Sequence, residues 1–97
     1  MPTYVTLSNF TDQGIRSIKD TVKRAEAFRK AAKESGVTIK DILWTQGQYD
    51  LITIMEVSDE ASSTALALNV AKMGNIRGQT LRAFTAAEME KTLEKVL

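Results

Sequence analysis

The chain of 97 residues contains no cysteine and no histidine. Without cysteine it has no disulfide, no thiolate metal site and no thiol nucleophile. Without histidine it lacks the commonest metal ligand in proteins and the side chain whose ordinary pKa lies nearest neutrality. Carboxylates alone could still bind a hard cation, but the acidic residues do not follow the spacing of a calcium-binding loop. We therefore expect no metal and no cofactor, and the missing histidine counts against an enzyme.

Long apolar runs are missing as well. No uninterrupted apolar stretch exceeds a few residues, so the sequence shows neither a signal peptide nor a membrane-spanning segment. We expect a cytoplasmic protein with no membrane partner. The length predicts one domain, residues 1–97, with room for a small core.

The net charge of the chain is small, but the charged residues are unevenly distributed. The net charge is +1, yet residues 16–35 hold seven basic and three acidic side chains, which gives +4 there and −3 elsewhere. A basic helix is one mark of nucleic-acid binding. The basic residues do not alternate with aromatic ones, however, as they do on single-strand binding surfaces. We interpret the segment as a solvated helix face and expect no nucleic-acid partner.

The most informative segment is residues 42–57. Two runs rich in β-branched and aromatic residues flank Gly47-Gln48, a pattern typical of a β-hairpin. Side chains alternate along a strand, so Ile52 and Ile54 share one face of the second run, while Leu51 and Met55 share the other. Neither face is polar. We therefore predict that helices cover one face and a second copy of the protein covers the other.

The order of elements predicts the fold class. We expect a βαββαβ chain with a final helix, an α+β ferredoxin-like sandwich. The first helix is expected to cover residues 15–32 without a break, and Ser58 and Thr85 are expected to cap the later helices. The predicted strands are Thr3–Asn9, Val37–Gln46, Leu51–Val57 and Ile76–Phe84.

The two faces of this sheet receive different roles in the prediction. We expect both helices to cover the face with Val5, Leu7, Ile52, Ile54 and Leu81. The opposite face, expected to pair with a second copy, carries Tyr4, Leu51, Met55, Phe84 and Trp44. An exposed apolar patch of that size is typical of an interface.

Three short motifs resemble the GYD domain family. The first is Gly47-Gln48-Tyr49-Asp50, in which one residue separates the glycine from the tyrosine and aspartate. The others are residues 4–7 with Gln13-Gly14, and residues 74–77 with 80–84. The resemblance extends over nearly the whole chain. It implies a ferredoxin-like fold that pairs into a dimeric α/β barrel, and it implies no particular reaction, so no catalytic residue is assigned.

Several polar and aromatic side chains are candidates for a ligand pocket between the sheet and its partner. Tyr49 and Asp50 follow the hairpin turn, where they serve either a pocket or the turn itself. Arg82 either meets an anionic ligand or pairs with Glu56 or Asp50. Trp44 either packs at the interface or in the core, or stacks on a flat ligand. The predicted ligand-binding residues are Tyr4, Thr6, Trp44, Tyr49, Asp50 and Arg82.

Two function classes remain open at this point. The first is a homo-oligomeric binding or assembly module, whose partners are a second copy of itself and an anionic or aromatic small molecule. The second is a cofactor-independent enzyme of the oxygenase or isomerase type, acting on a small polar aromatic or carbonyl compound. Tyr49 or Asp50 would act as its acid or base only with a strongly shifted pKa. We favour the binding module.

Overall fold

A computed structural model of the protein describes residues 1–97 and contains one four-stranded antiparallel sheet. This arrangement confirms the predicted α+β ferredoxin-like fold with a C-terminal helix. A single 3-10 turn, Ile18–Asp20, lies between the first two α-helices. The elements are β1 (Thr3–Phe10), α1 (Asp12–Arg16), α2 (Thr21–Glu34), β2 (Val37–Trp44), β3 (Leu51–Val57), α3 (Glu60–Lys72), β4 (Ile76–Ala83) and α4 (Ala86–Leu93). The strand order in the sheet is β2-β3-β1-β4.

The first helix is interrupted, so the prediction of one continuous helix is wrong. Ser17 leaves the helical conformation with φ −106° and ψ 27°, and its backbone N–H donates to the Gln13 carbonyl. The Arg24 guanidinium then donates to the Ser17 carbonyl across 2.9 Å. The same carbonyl also accepts from the Asp20 N–H across 3.0 Å, so two hydrogen bonds hold the backbone at the break. Apolar spacing alone does not reveal such a break, because the apolar residues keep their period across it.

Short helix α1 packs against the loop that precedes β4. Thr11 caps the helix by accepting from the Gly14 N–H across 3.1 Å, and the Thr11 N–H donates to the Asn75 carbonyl across 3.1 Å. A Cβ added at Gly14 would overlap that same Asn75 oxygen. Only glycine allows this approach.

The later helix caps agree with the sequence in one case and not in the other. Thr85 and Glu88 form the expected capping box at α4. At α3 the N-cap is Asp59, whose carboxylate accepts from the Ala61 N–H across 3.2 Å. The predicted cap, Ser58, instead donates its hydroxyl to the Gly36 carbonyl.

The hairpin between β2 and β3 forms as expected. Gly47 supplies the left-handed residue of the turn with φ 102°, and the Thr45 N–H donates to the Asp50 carbonyl across 2.8 Å. β2 ends at Trp44, two residues earlier than predicted. A bulge at Lys40 shifts the register of β2 against β3 between Ile39 and Asp41.

The helices cover the opposite face of the sheet from the one predicted. Met55, which we assigned to the partner-facing side, is only 7% exposed and packs in a core with Ala32 and Leu66 from α2 and α3. Tyr4 lies beside it on β1 because the register pairs the two residues. Both faces of β3 are apolar, so the alternation of side chains could not decide which face the helices would cover.

The remaining sheet face has no helix over it, and we call it the open face. Its apolar residues are Val5, Leu7, Leu43, Ile52, Ile54 and Leu81, which cross-strand pairing places side by side. Leu43 and Leu81 are 46% and 44% exposed, and the other four are half-buried among their neighbours. The apolar side chains of α4 are exposed too, with Met89 at 43% and Leu93 at 57%.

None of the helices is both long enough and apolar enough to cross a membrane.

Candidate functional site

The open face is a candidate functional surface, because its apolar side chains are contiguous. Ile54 pairs with Val5, and Val5 pairs with Leu81, so three strands place large aliphatic side chains in one row. A second row runs through Ile52 and Leu7. Contiguous apolar side chains on a soluble domain mark a contact surface, whereas single exposed ones do not. The open face is therefore a candidate contact surface.

A cleft of about 390 Å³ opens at one end of the open face. Tyr49 forms one wall from the hairpin, and the Gln79 amide donates to its hydroxyl across 3.2 Å. Pairing between β1 and β4 places Gln79 beside Leu7 and Arg77 beside Asn9. The lining residues are Leu7, Asn9, Gln48, Tyr49, Arg77, Gly78 and Gln79. One guanidinium, three amides and one phenol therefore meet in a single depression.

Sequence reasoning found Tyr49 but missed Asn9, Arg77 and Gln79. The signal was present in part, because Arg77 and Gln79 stand four and two residues before Leu81 and so share its face. Their proximity to Tyr49 depends on the register of β1 against β4, which the sequence does not give.

Asp50 does not line this cleft. Its carboxylate accepts from the Phe10 N–H across 2.9 Å, and its own N–H donates to the Ser8 carbonyl across 2.9 Å. Both bonds fasten the hairpin to the end of β1. The aspartate therefore makes the structural contacts of a turn residue.

Tyr4 and Thr6 lie on the helix-covered face, away from the cleft. The Tyr4 hydroxyl donates to the Glu60 carboxylate across 3.0 Å, and this bond raises the pKa of the Tyr4 phenol. The Thr6 and Thr80 hydroxyls share a hydrogen bond of 3.0 Å across β1 and β4. These contacts join α3 and both strands at one end of the sheet.

Arg82 lies in the same cluster as Tyr4 and pairs with a different acid from those expected. Its guanidinium approaches the Glu88 carboxylate at 3.2 Å and lies 4.4 Å from the centre of the Phe84 ring. Glu56, one expected partner, pairs instead with Lys40 at 3.4 Å. The hydrogen bond from the Thr85 N–H, followed by that from Arg82, lowers the pKa of the Glu88 carboxyl. Arg82 thus connects β4 to the first turn of α4.

Trp44 lies near the start of α2, away from both the cleft and the contacts of Tyr4 and Arg82. Its indole N–H donates to the Thr21 hydroxyl across 3.0 Å, and the residue is 42% exposed. The six predicted ligand-binding residues therefore do not form one site, and only Tyr49 lines the cleft on the open face.

The chain was also compared with known protein families and with individual proteins. A family model described as the GYD domain matches residues 4–93. A protein of Thermus thermophilus, described as "Glutamine synthetase and cystathionine beta-lyase binding protein", is 28% identical to this chain over 90 residues. Those residues make up 92% of this chain and 95% of that protein.

Proposed function

The chain belongs to the GYD domain family, and from that premise and its open face we propose that it is a binding module that works as a homodimer. The open face carries the proposal. Two copies that pair through it use the same patch on both subunits, the arrangement found in most homodimers. Each copy then supplies its six aliphatic side chains to an interface that excludes water.

The exposed leucines of the open face supply part of the free energy that such pairing needs. Full burial of a leucine side chain contributes about 1.5–3 kcal/mol, so covering one that is 44% or 46% exposed contributes roughly half of that. Leu43 and Leu81 of both copies together supply about 3–5 kcal/mol. Association itself costs about 4–15 kcal/mol, so the half-buried residues between these leucines have to supply the remainder. A tight dimer needs the whole face and not only its edges.

Binding of other proteins is the second part of the proposal. The relative from Thermus thermophilus is described by the two enzymes that it binds, and it matches this chain over nearly its full length. In a dimer built on the open face, the helical layers point outward and remain available to a partner. We therefore infer that this protein binds enzymes as its partners.

The cleft supports a third part, a small molecule held between the two sheets. It opens on the face that a second copy would cover, so the copy would form its missing wall. Ligand sites of a few hundred Å³ with a few polar groups suit small molecules. The cleft therefore offers a second ligand class beside the protein partners.

Sedimentation equilibrium of the unmodified protein tests the homodimer. The expected mass at micromolar concentration is twice the 10.7 kDa of the chain. A mass of 10.7 kDa throughout the micromolar range would overturn the proposal.

Partner binding is tested separately, with purified glutamine synthetase and purified cystathionine beta-lyase passed over the immobilised protein. Saturable binding of either enzyme supports the second part. Absence of binding to both, under conditions where the Thermus relative binds them, would contradict it.

A further inference from the structure

Arg77 is an exposed cation in the cleft that no acid of the chain neutralises. The chain has three ion pairs, Arg29 with Glu26, Lys40 with Glu56 and Arg82 with Glu88, and none of them involves Arg77. No acidic residue is among the seven that line the cleft. The local charge is therefore positive, and it favours an anionic ligand over a neutral or cationic one.

We propose that the cleft binds the carboxylate of a small organic acid, with Arg77 as its counter-ion. This inference rests on the third part of the proposed function, the small-molecule site. A guanidinium presents its N–H groups as a planar fork that matches the two oxygens of a carboxylate. Asn9 lies directly across from Arg77 on β1 and also lines the cleft, so the cleft offers an amide donor as well as the guanidinium.

The remaining lining residues define the rest of the ligand. Leu7 and the Tyr49 ring give the cleft an apolar part, which suits a short aliphatic or aromatic carbon skeleton. Gln79 donates to the Tyr49 hydroxyl, which leaves its amide oxygen available as an acceptor. The cleft thus suits a ligand with a carboxylate at one end and an apolar carbon skeleton at the other.

A carboxylate fits this cleft better than a phosphate does. A phosphate carries close to two negative charges at neutral pH and takes several charge-assisted donors. The cleft supplies one cation and no helix N-terminus. Its single guanidinium with neighbouring amides matches the single charge of a carboxylate.

The test is a titration of ¹⁵N-labelled protein with benzoate, butyrate and inorganic phosphate in separate arms, followed by amide chemical shifts. We expect saturable shifts with at least one organic acid, confined to Asn9, residues 48–49 and residues 77–79. Arg77→Gln should weaken that binding at least about tenfold, because a hydrogen bond to a charged group is lost. Arg16→Gln makes the same charge change at an exposed position on α1 and should leave binding unchanged.

Three results would overturn the inference. They are no saturable shift with either organic acid, equal weakening by the two arginine variants, and tighter binding of phosphate than of both acids. Arg77 is exposed, so Arg77→Gln should fold normally, and an unchanged melting temperature verifies this.

Sedimentation of the same samples separates this inference from the homodimer. A monomer that still binds an organic acid through Arg77 would contradict the homodimer and keep the carboxylate site. A dimer that binds neither acid would contradict the carboxylate site alone.

Discussion

Leu81→Lys tests the open face most sharply, because Leu81 is 44% exposed in the single chain. A lysine there reaches water in a monomer, and a surface substitution of this kind changes stability by about 0.5 kcal/mol or less. In a dimer built on the open face the same lysine is covered in both copies. Each copy then loses about 0.7–1.3 kcal/mol of apolar burial and also has to cover an ammonium group.

The expected loss of dimer stability is the sum of the losses in the two copies. A loss of at least about 3 kcal/mol for the dimer raises its dissociation constant more than about a hundredfold, while the melting temperature of the monomer stays nearly unchanged. Sedimentation equilibrium over a dilution series measures the dissociation constant. Leu68→Lys is the matched control, because Leu68 is 65% exposed on α3 and lies outside the open face.

Two outcomes would refute this reasoning. One is an unchanged dissociation constant for Leu81→Lys, and the other is an equal effect of Leu68→Lys. Met55→Lys provides a contrast, because Met55 is 7% exposed in the core beneath the helices. It should unfold the chain instead of separating folded copies.

Three further predictions concern stability. Gly14→Ala should lower the free energy of unfolding by about 1–3 kcal/mol, because its Cβ would overlap the Asn75 oxygen; an unchanged thermal melt would contradict the close packing there. Arg82→Met should lower Tm by no more than about 4–8 °C, because its ion pair with Glu88 is partly exposed; a far larger loss would mean that the pair is essential to the fold. The pKa values of Asp59 and Glu88 are lowered by hydrogen bonds to their charged forms, from the Ser62 hydroxyl and the Thr85 N–H respectively. The stability that each ionised carboxylate contributes to the fold should therefore be present at pH values above its ordinary pKa, and it should be lost as the pH falls through the lowered pKa. Glu88→Gln should accordingly make Tm depend less on pH in the acid range.

Much of the fold could be predicted from the sequence because its helices and strands have clear apolar periods and are bounded by recognisable turn and capping residues. Alternation identified β1, Gly47 identified the hairpin, and Thr85 with Glu88 identified the start of α4. The element order then left few topologies. The suspected family is also confirmed, by a match over residues 4–93.

The prediction was wrong where two structural arrangements fitted the local sequence pattern equally well. β3 is apolar on both faces, so its pattern was compatible with helices on either side. Ser58 and Asp59 are both good N-caps, and the choice depended on the Gly36 carbonyl, which binds the Ser58 hydroxyl. Such choices are made by tertiary contacts, which a single sequence does not display.

The candidate site was predicted only in part for the same reason. Tyr49 follows a turn and is conspicuous in the sequence, whereas Arg77 and Gln79 become neighbours of Tyr49 only through the β1–β4 register. Arg82 looked like a ligand contact because its partner, Glu88, lies on a helix whose position the sequence does not fix.

The most direct test of the central claim is an isotope-filtered NOE experiment on a mixture of ¹³C-labelled and unlabelled protein. Only contacts between two copies give cross-peaks in that spectrum. We expect them at the methyl groups of the open face, above all at Val5, Ile52 and Ile54, and not at Leu66, which is 6% exposed in the core. Cross-peaks confined to α3 and α4, or none at all, would contradict pairing through the open face.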